Sequence, residues 1–526
     1  VLVAAGLLAG LTETISPSIV GHKHLWAIFH FAIGIFVVFV ALQSRSWRLP
    51  WQRPSVTILV AFAGCLAAGL LGGVSWPNSG DEYSYVFLAD TFLAGRLYDP
   101  APPDPVLFEM FHVLVKDGRT FSPYPPAWSA YLVPFRAVGA VWLANPLLTV
   151  FIGTALAGSM GRLGISPAVR NPALALVLLT PFTLFLGGSV FPQTMACALI
   201  AGIVWAQLAD EAGPRAWRKL LIGGLFGVLL LTRYDIFAIV ALLYAIDRII
   251  SRRLGAVADG LLIVLGLLPF VACLAAYNAG VTGHPLQSTA FWAPSEIFTS
   301  RDAGTGISRV IKALELNAFW VGSLAQFGGL PILVLAAFAL PLAMRRRTCR
   351  FYDFLLPAAI AFYSCVPFSG GHQYGPRYWF WAWPFAVLTI TSVLVDRSGS
   401  LIVAGRRVAF DSFAAACLVY AAAAFCVLLL TTHVYMDARR EVFGGARPDG
   451  KSVILLPSRD LVLWPWQAEL PVALTLDFTR NDIDYGGPVL YGRGDVRDAV
   501  ARACRLGGRA VFRWEGPAHL VPMGCP

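Results

Sequence analysis

Charge is what this sequence has least of. Only 13% of its 526 residues are Asp, Glu, Lys or Arg, about half the roughly 25% of a soluble domain. So little polar surface excludes water as the main solvent of the fold. The nine cysteines show no metal-type spacing, which excludes a zinc finger or a similar cluster. There is no low-complexity tract and no inverted repeat of the kind that builds many transporters. The first run, residues 1–19, lacks the basic start of a secretory signal peptide and reads as a retained helix.

What is present is apolar. The chain is 57% hydrophobic with a mean hydropathy of +0.67. Val56–Trp76, Leu220–Leu231, Ile236–Ile250 and Leu261–Ala276 are largely or wholly uncharged, at or near the roughly 20 residues a helix needs to cross a bilayer. Helices satisfy their own backbone in lipid; a barrel would need alternating strands, and these runs are apolar on every face. The net charge of +10 is concentrated in alternate connectors: Arg45, Arg48 and Arg53; Arg162 and Arg170; Arg215, Arg218 and Lys219; Arg248, Arg252 and Arg253; Arg345, Arg346, Arg347 and Arg350; Arg397, Arg406 and Arg407. That alternation is the positive-inside pattern, so the basic excess reports topology and not nucleic-acid binding. It predicts an all-α polytopic membrane protein of about 13 spans, amino terminus in the cytoplasm and carboxyl terminus outside. Residues 1–436 form the membrane module. Residues 437–526 carry more charge and short β-like runs at Ser452–Leu456, Pro488–Tyr491 and Arg509–Trp514, with helical spacing over Val496–Cys504. They read as a small extracytoplasmic α/β domain. Cys504 and Cys525 lie in that outer region, where an oxidising compartment permits a disulfide.

The gaps between basic connectors hold the chemistry. The first, 77–143, is long, and long loops tend to be functional. It opens on Asp81-Glu82, a pair suited to general-base work or to a divalent cation, and equally to the acidic first turn of a helix, which the helix dipole favours. Tyr83–Leu93 has the aromatic-apolar face of an interfacial helix, and Pro125–Val141 is a second candidate. Between them come Lys116 and Arg119 around an Asp117-Gly118 turn, then Ser122-Pro-Tyr124-Pro-Pro-Ala-Trp128. Two other outer junctions carry cations: Arg233 with Asp235, and the turn Ser369-Gly-Gly-His-Gln-Tyr-Gly-Pro-Arg377. Ionisable groups at membrane depth are functional hypotheses by default; an Arg233–Asp235 contact that tightens a helix turn and an interfacial Arg-aromatic anchor are the plain alternatives.

An Asp-Glu pair opening the first large outer loop, an interfacial helix, and an aromatic- and proline-rich run before a second such helix resemble the GT-C glycosyltransferases. The likeness is to the clan of protein O-mannosyltransferases and lipid A aminoarabinose transferases. It covers the layout of residues 54 to about 395 and is motif-specific over roughly 81–128. The clan often has Lys-Pro-Pro where this chain has Tyr124-Pro125-Pro126, and two spans here precede the usual first loop. The resemblance implies inverting transfer of a sugar from a polyprenyl-phosphate donor to a hydroxyl on a glycan, lipid or protein acceptor, at the outer face of a bacterial inner membrane. Asp81 would be the base, and Glu82 would position the acceptor or a metal. Arg233, Arg377, His372, Tyr374 and Lys116 would hold the donor phosphate, and Tyr83, Tyr124 and Asp235 would line the substrate pocket. Metal dependence varies within the clan, so magnesium or manganese stays an open cofactor. Competing classes are a lipid or glycolipid flippase, which needs polar residues mid-span, and a catalytically inactive scaffold.

Overall fold

The computed structural model describes residues 23–43, 48–49, 52–77, 79–110, 112–251, 256–292, 307–365, 374–396, 398–403, 405–444, 448–456, 481–516 and 519–525. It is mostly helical and divides into two compact units, residues 1–72, 145–272 and 300–431 in the first, 73–144, 273–299 and 432–526 in the second. Among the described residues four helices are long and apolar enough to cross a membrane: Val141–Arg162, Gln193–Ala212, Val257–Thr282 and Phe410–His433. The protein is therefore an integral membrane protein.

The expected 13 straight spans are not all reproduced. The first expected span, 1–19, lies outside the described residues. The expected span 171–190 is two helices, Pro167–Leu178 and Pro181–Gly188, bent by 61°, because Pro181 starts a new helix capped by the Thr180 hydroxyl. The expected span 320–343 breaks more sharply, at 118° between Ala313–Gln326 and Leu330–Arg346. There Gly328 takes a φ of +74°, a left-handed conformation open to glycine. Counting each bent pair as one span gives up to six among the described residues, with shorter apolar helices at Ile28–Gln43, Pro54–Leu70, Phe351–Cys365 and Trp383–Val393.

Within the first unit the helices sort by burial. Gln193–Ala212 is a core helix, burying residues on every face from Gln193 to Asp210. The apolar stretch within Val257–Thr282 has none of its residues buried, as a lipid-facing helix should. The basic connectors are not loose. Lys219 reaches Asp210 at 3.3 Å and Asp259 at 3.4 Å, and Arg248 reaches Asp259 at 3.1 Å and Glu211 at 3.5 Å. Arg350 completes the cluster on Glu211 and Asp247. Helices Ala216–Thr232 and Ala256–Thr282 approach closely through glycines: a Cβ on Gly223 would lie 2.0 Å from the Ile263 carbonyl oxygen, and one on Gly266 2.2 Å from that of Leu220.

The second unit combines the long loop with the C-terminal strands. Gly80–Leu93 and Ala127–Ala137 are helices, tied together by a bidentate Arg136–Asp90 pair at 2.7 Å. Leu114–Lys116 and Arg119–Phe121 form a hairpin whose turn residues, Asp117 and Gly118, both have positive φ. The C-terminal sheet runs Val489–Arg493, Ser452–Leu456, Ala510–Gly516, His519–Met523, the first three parallel and the last antiparallel. Cys504 and Cys525 are disulfide-bonded. Tyr83, Met110 and Val113 share one core with Ile454, Leu456, Tyr491 and Trp514. Arg502 pairs with Asp104 at 3.0 Å. Burial opposes ionisation of Asp104, yet the Leu107 and Val106 amides and Arg502 together hold its carboxyl below the usual range.

Two outcomes follow. Gly266→Ala should destabilise the detergent-solubilised protein by about 1–3 kcal/mol in thermal unfolding, whereas alanine at Gly260, where an added Cβ meets nothing, should not. Arg502→Ala should cost about 0.5–1 kcal/mol at neutral pH. Because the Asp104 pKa is depressed on folding, that contribution is complete above about pH 4 and disappears as acidification protonates the folded carboxyl.

Candidate active site

The Asp81-Glu82 pair starts a helix. Ser79 is its N-cap: the Ser79 hydroxyl oxygen accepts from the Glu82 amide at 3.3 Å and lies 3.3 Å from the Glu82 carboxylate. The acidic first turn anticipated from the helix dipole is therefore real, and it separates the two carboxylates by environment. Glu82 is fully buried beside its cap. The Asp81 side chain is 17% exposed, so of the two it is the one a substrate can reach.

Tyr124 and His112 are neighbours of Asp81 among the described residues. The Tyr124 hydroxyl donates to its carboxylate, and His112 Nε2 lies 3.8 Å from the same oxygen, Oδ1. Tyr124 is fixed by its amide, which donates to the Ser122 hydroxyl at 3.2 Å. Ser122 in turn shares a 2.7 Å hydrogen bond with Ser84, and Tyr85 packs against the Tyr124 ring at 4.6 Å. Thus the Ser122-Pro-Tyr-Pro-Pro run is pinned to the helix that carries the carboxylates. Among the described residues no three His, Cys, Asp or Glu gather in metal-holding geometry.

In the first unit a second group assembles around Tyr378. Arg233 ends the Ala216–Thr232 helix in extended backbone and donates to Asp235 through two nitrogens, at 3.0 and 2.8 Å. Tyr363 donates to the same carboxylate at 2.6 Å and stacks on Tyr378 at 4.8 Å. The Arg233 guanidinium lies 5.8 Å from the Tyr378 ring centre. Arg377, only 5% exposed, lies 5.1 Å from the same ring and 4.3 Å from Phe191. Two guanidiniums that sequence places 144 residues apart therefore flank one tyrosine, one of them already balanced by a carboxylate.

The other anticipated residues have different surroundings. Tyr83 is fully buried in the core described above, and its hydroxyl donates to the Pro77 carbonyl at 2.7 Å, so it packs the helix and does not line a pocket. Tyr374 is fully buried between Phe185 and Phe191 with a φ of +57°. Lys116 donates to the Trp292 carbonyl at 2.7 Å and lies over its ring. Arg119 likewise donates to the Val281 carbonyl at 2.5 Å. Both cations clamp the chain around 281–292. His372 lies outside the described residues. Sequence reasoning missed His112 and Tyr363. His112, one of eight histidines, stands in the charged loop and was open to notice; Tyr363, inside an apolar run, gave no signal.

No known family's sequence pattern matches the chain, and no curated protein matches it. Solved structures of similar fold do match it. ArnT from Cupriavidus metallidurans, bound to undecaprenyl phosphate, aligns over 87% of this chain and 92% of its own, with 13% identity and a TM-score of 0.53. The likeness is one of fold. An oligosaccharyltransferase from Archaeoglobus fulgidus, tethered with an acceptor peptide, aligns over 87% of this chain and 68% of its own, at 9% identity and a TM-score of 0.46. The Asp235 carboxylate holds the Arg233 and Tyr363 side chains, and removing it takes away the bidentate partner of Arg233. Asp235→Ala should cost about 3–5 kcal/mol in chemical denaturation, and Tyr363→Phe about 1.5 kcal/mol. Equal, small effects would show that the pair is solvated.

Proposed function

We propose that the protein is a polyprenyl-phosphate-dependent glycosyltransferase with Asp81 as general base and Arg377, with Arg233, as the phosphate-binding group. The observation that carries the reading is the reachable Asp81 carboxylate, fixed at a capped helix start and engaged by Tyr124. The GT-C fold supports it, as does the similar ArnT, whose structure contains undecaprenyl phosphate.

The reaction is an in-line displacement with inversion. The acceptor hydroxyl loses its proton to Asp81, its oxygen forms a bond to the anomeric carbon, and the bond from that carbon to the lipid phosphate breaks. The phosphate leaves with the electron pair, and charge builds on its oxygens. Guanidiniums held in place before the reaction stabilise that charge without reorganising, and Arg presents a planar fork that matches phosphate. Binding donor and acceptor together supplies proximity. Buried Glu82 fixes the first turn of the helix, and Tyr124 orients the carboxylate. The donor is a polyprenyl-linked sugar, the acceptor a glycan, lipid or protein hydroxyl, and the reaction face is the extracytoplasmic side of a bacterial inner membrane, where the Cys504–Cys525 bridge is stable.

A lipid-carrier reading draws on the two bent helix pairs, and one assay separates the two. Purified protein is given polyprenyl-phosphate sugars and envelope acceptors, with and without chelator, and products are read by mass spectrometry. Asp81→Asn should lower transfer by about a hundred- to ten-thousand-fold while retaining undecaprenyl-phosphate binding. Arg377→Ala should weaken that binding by about tenfold or more. Transfer by Asp81→Asn at the wild-type rate overturns the reading.

A further inference from the structure

We infer that Asn145 is a positioning residue for the anion site: its side-chain amide fixes the Ser189–Phe191 turn, and through the Phe191 ring it sets where the Arg377 guanidinium stands. The inference rests on the reading of Arg377 as the phosphate-binding group.

Asn145 is the second residue of the Ala144–Arg162 helix and is 1% exposed. A polar side chain at that burial is costly unless it is hydrogen-bonded. Its Nδ2 donates to the Ser189 carbonyl at 2.7 Å and to the Phe191 carbonyl at 2.9 Å, so both hydrogens of the amide go to one turn. The turn joins helix Pro181–Gly188 to helix Gln193–Ala212. Ser189 and Phe191 stand outside both helices, and their buried carbonyls need donors from elsewhere in the fold.

The turn is closed at other points as well. The Phe191 amide donates to the Ser189 hydroxyl at 3.3 Å, and that hydroxyl donates to the Leu186 carbonyl at 2.9 Å. Pro192 follows, and a residue ahead of proline is held to extended backbone. Gly188 packs so tightly on the Pro54–Leu70 helix that a Cβ there would lie 2.5 Å from the Cys65 carbonyl oxygen. Phe191 therefore has its amide on Ser189 and its carbonyl on Asn145, and its buried ring leaves the backbone from a fixed point.

That ring faces Arg377. The guanidinium carbon lies 4.3 Å from its centre, closer than the 5.1 Å to Tyr378, and Tyr374 meets the same ring at 6.2 Å. A guanidinium held over a ring takes its plane and depth from that ring. A misplacement of about 1 Å at a group that binds the reacting part of a substrate is enough to lose much of its effect. An apolar side chain at 145 would fill the same space but leave two buried carbonyls without their donor. The polar link is thus what ties the helix start to the ring, and the ring to the cation.

The test measures undecaprenyl-phosphate binding to the purified protein, with undecaprenol, the same tail without phosphate, as control ligand. Asn145→Ala and Phe191→Leu should each weaken phosphate binding about five- to tenfold and leave undecaprenol binding unchanged. The double variant should be little weaker than either single one, because residues that act through one contact are not additive. In an Arg377→Ala background Asn145→Ala should cost nothing further. Asn145→Ser, which keeps a single donor, enters the same comparisons with a smaller expected loss and serves if the alanine variant does not fold. Wild-type affinity in the Asn145 variants, losses that multiply as if independent, or an equal loss for undecaprenol overturns the inference and leaves the role of Arg377 intact. An Arg377→Ala protein that binds undecaprenyl phosphate as wild type does overturns the anion-site reading instead.

Discussion

An ionised group removed from water without a partner costs several kcal/mol, and a chain this poor in polar surface has few places to put one. Several of its buried charges are held in pairs or against rings. Lys219, Arg248 and Arg350 are tied to Asp210, Glu211, Asp247 and Asp259 in a shared network. Arg233 is matched to Asp235 and Tyr363. Arg377 lies between Phe191 and Tyr378. The same constraint positions the anionic side: Asp81 and Glu82 are placed by the N-cap of Ser79 and by the positive end of a helix.

These devices differ in what they leave available. The network around Glu211 pairs cations with anions of nearly equal number, and it is a fastening. The group around Tyr378 places two guanidiniums, one of them paired with Asp235, beside a single aromatic ring. Guanidiniums are the groups that the proposed anionic headgroup would use. Aromatic faces keep the guanidinium planes oriented and exclude water, which strengthens their field. A fixed cation and a reachable carboxylate are the two parts that the proposed transfer from a lipid phosphate needs, and the fold by itself specifies no function.

Much of this was legible in the residues. The strand Ser452–Leu456 is where its β-branched run predicts it, and the helix from Gly80 to Leu93 contains the expected Tyr83–Leu93 face. Hydropathy could not show where an apolar run bends. The turns at Thr180 and Gly328 sit inside uniformly apolar sequence, where the signal is one proline or one glycine and not a change of composition. Nor does sequence tell which neighbour a buried tyrosine meets: Tyr83 and Tyr85 are two apart on a helix, so they face different neighbours, one in the core and one on Tyr124. Residues such as Tyr363 and Tyr378 acquire their roles only when distant segments meet, and no local pattern marks them. The motif that the resemblance supplied, Asp-Glu followed by an aromatic Pro-Pro run, is the part where local sequence and tertiary contact coincide, through Tyr124 and Asp81.

The central claim is that the paired guanidiniums around Tyr378 form the anion site. Cryo-electron microscopy of the purified protein with undecaprenyl phosphate tests it most directly. The account predicts phosphate density about 3 Å from the Arg377 guanidinium and beside Arg233, with the lipid tail running along apolar helices. Phosphate density resting on Lys116 and Arg119, with Arg377 unmoved between its two rings, would contradict it.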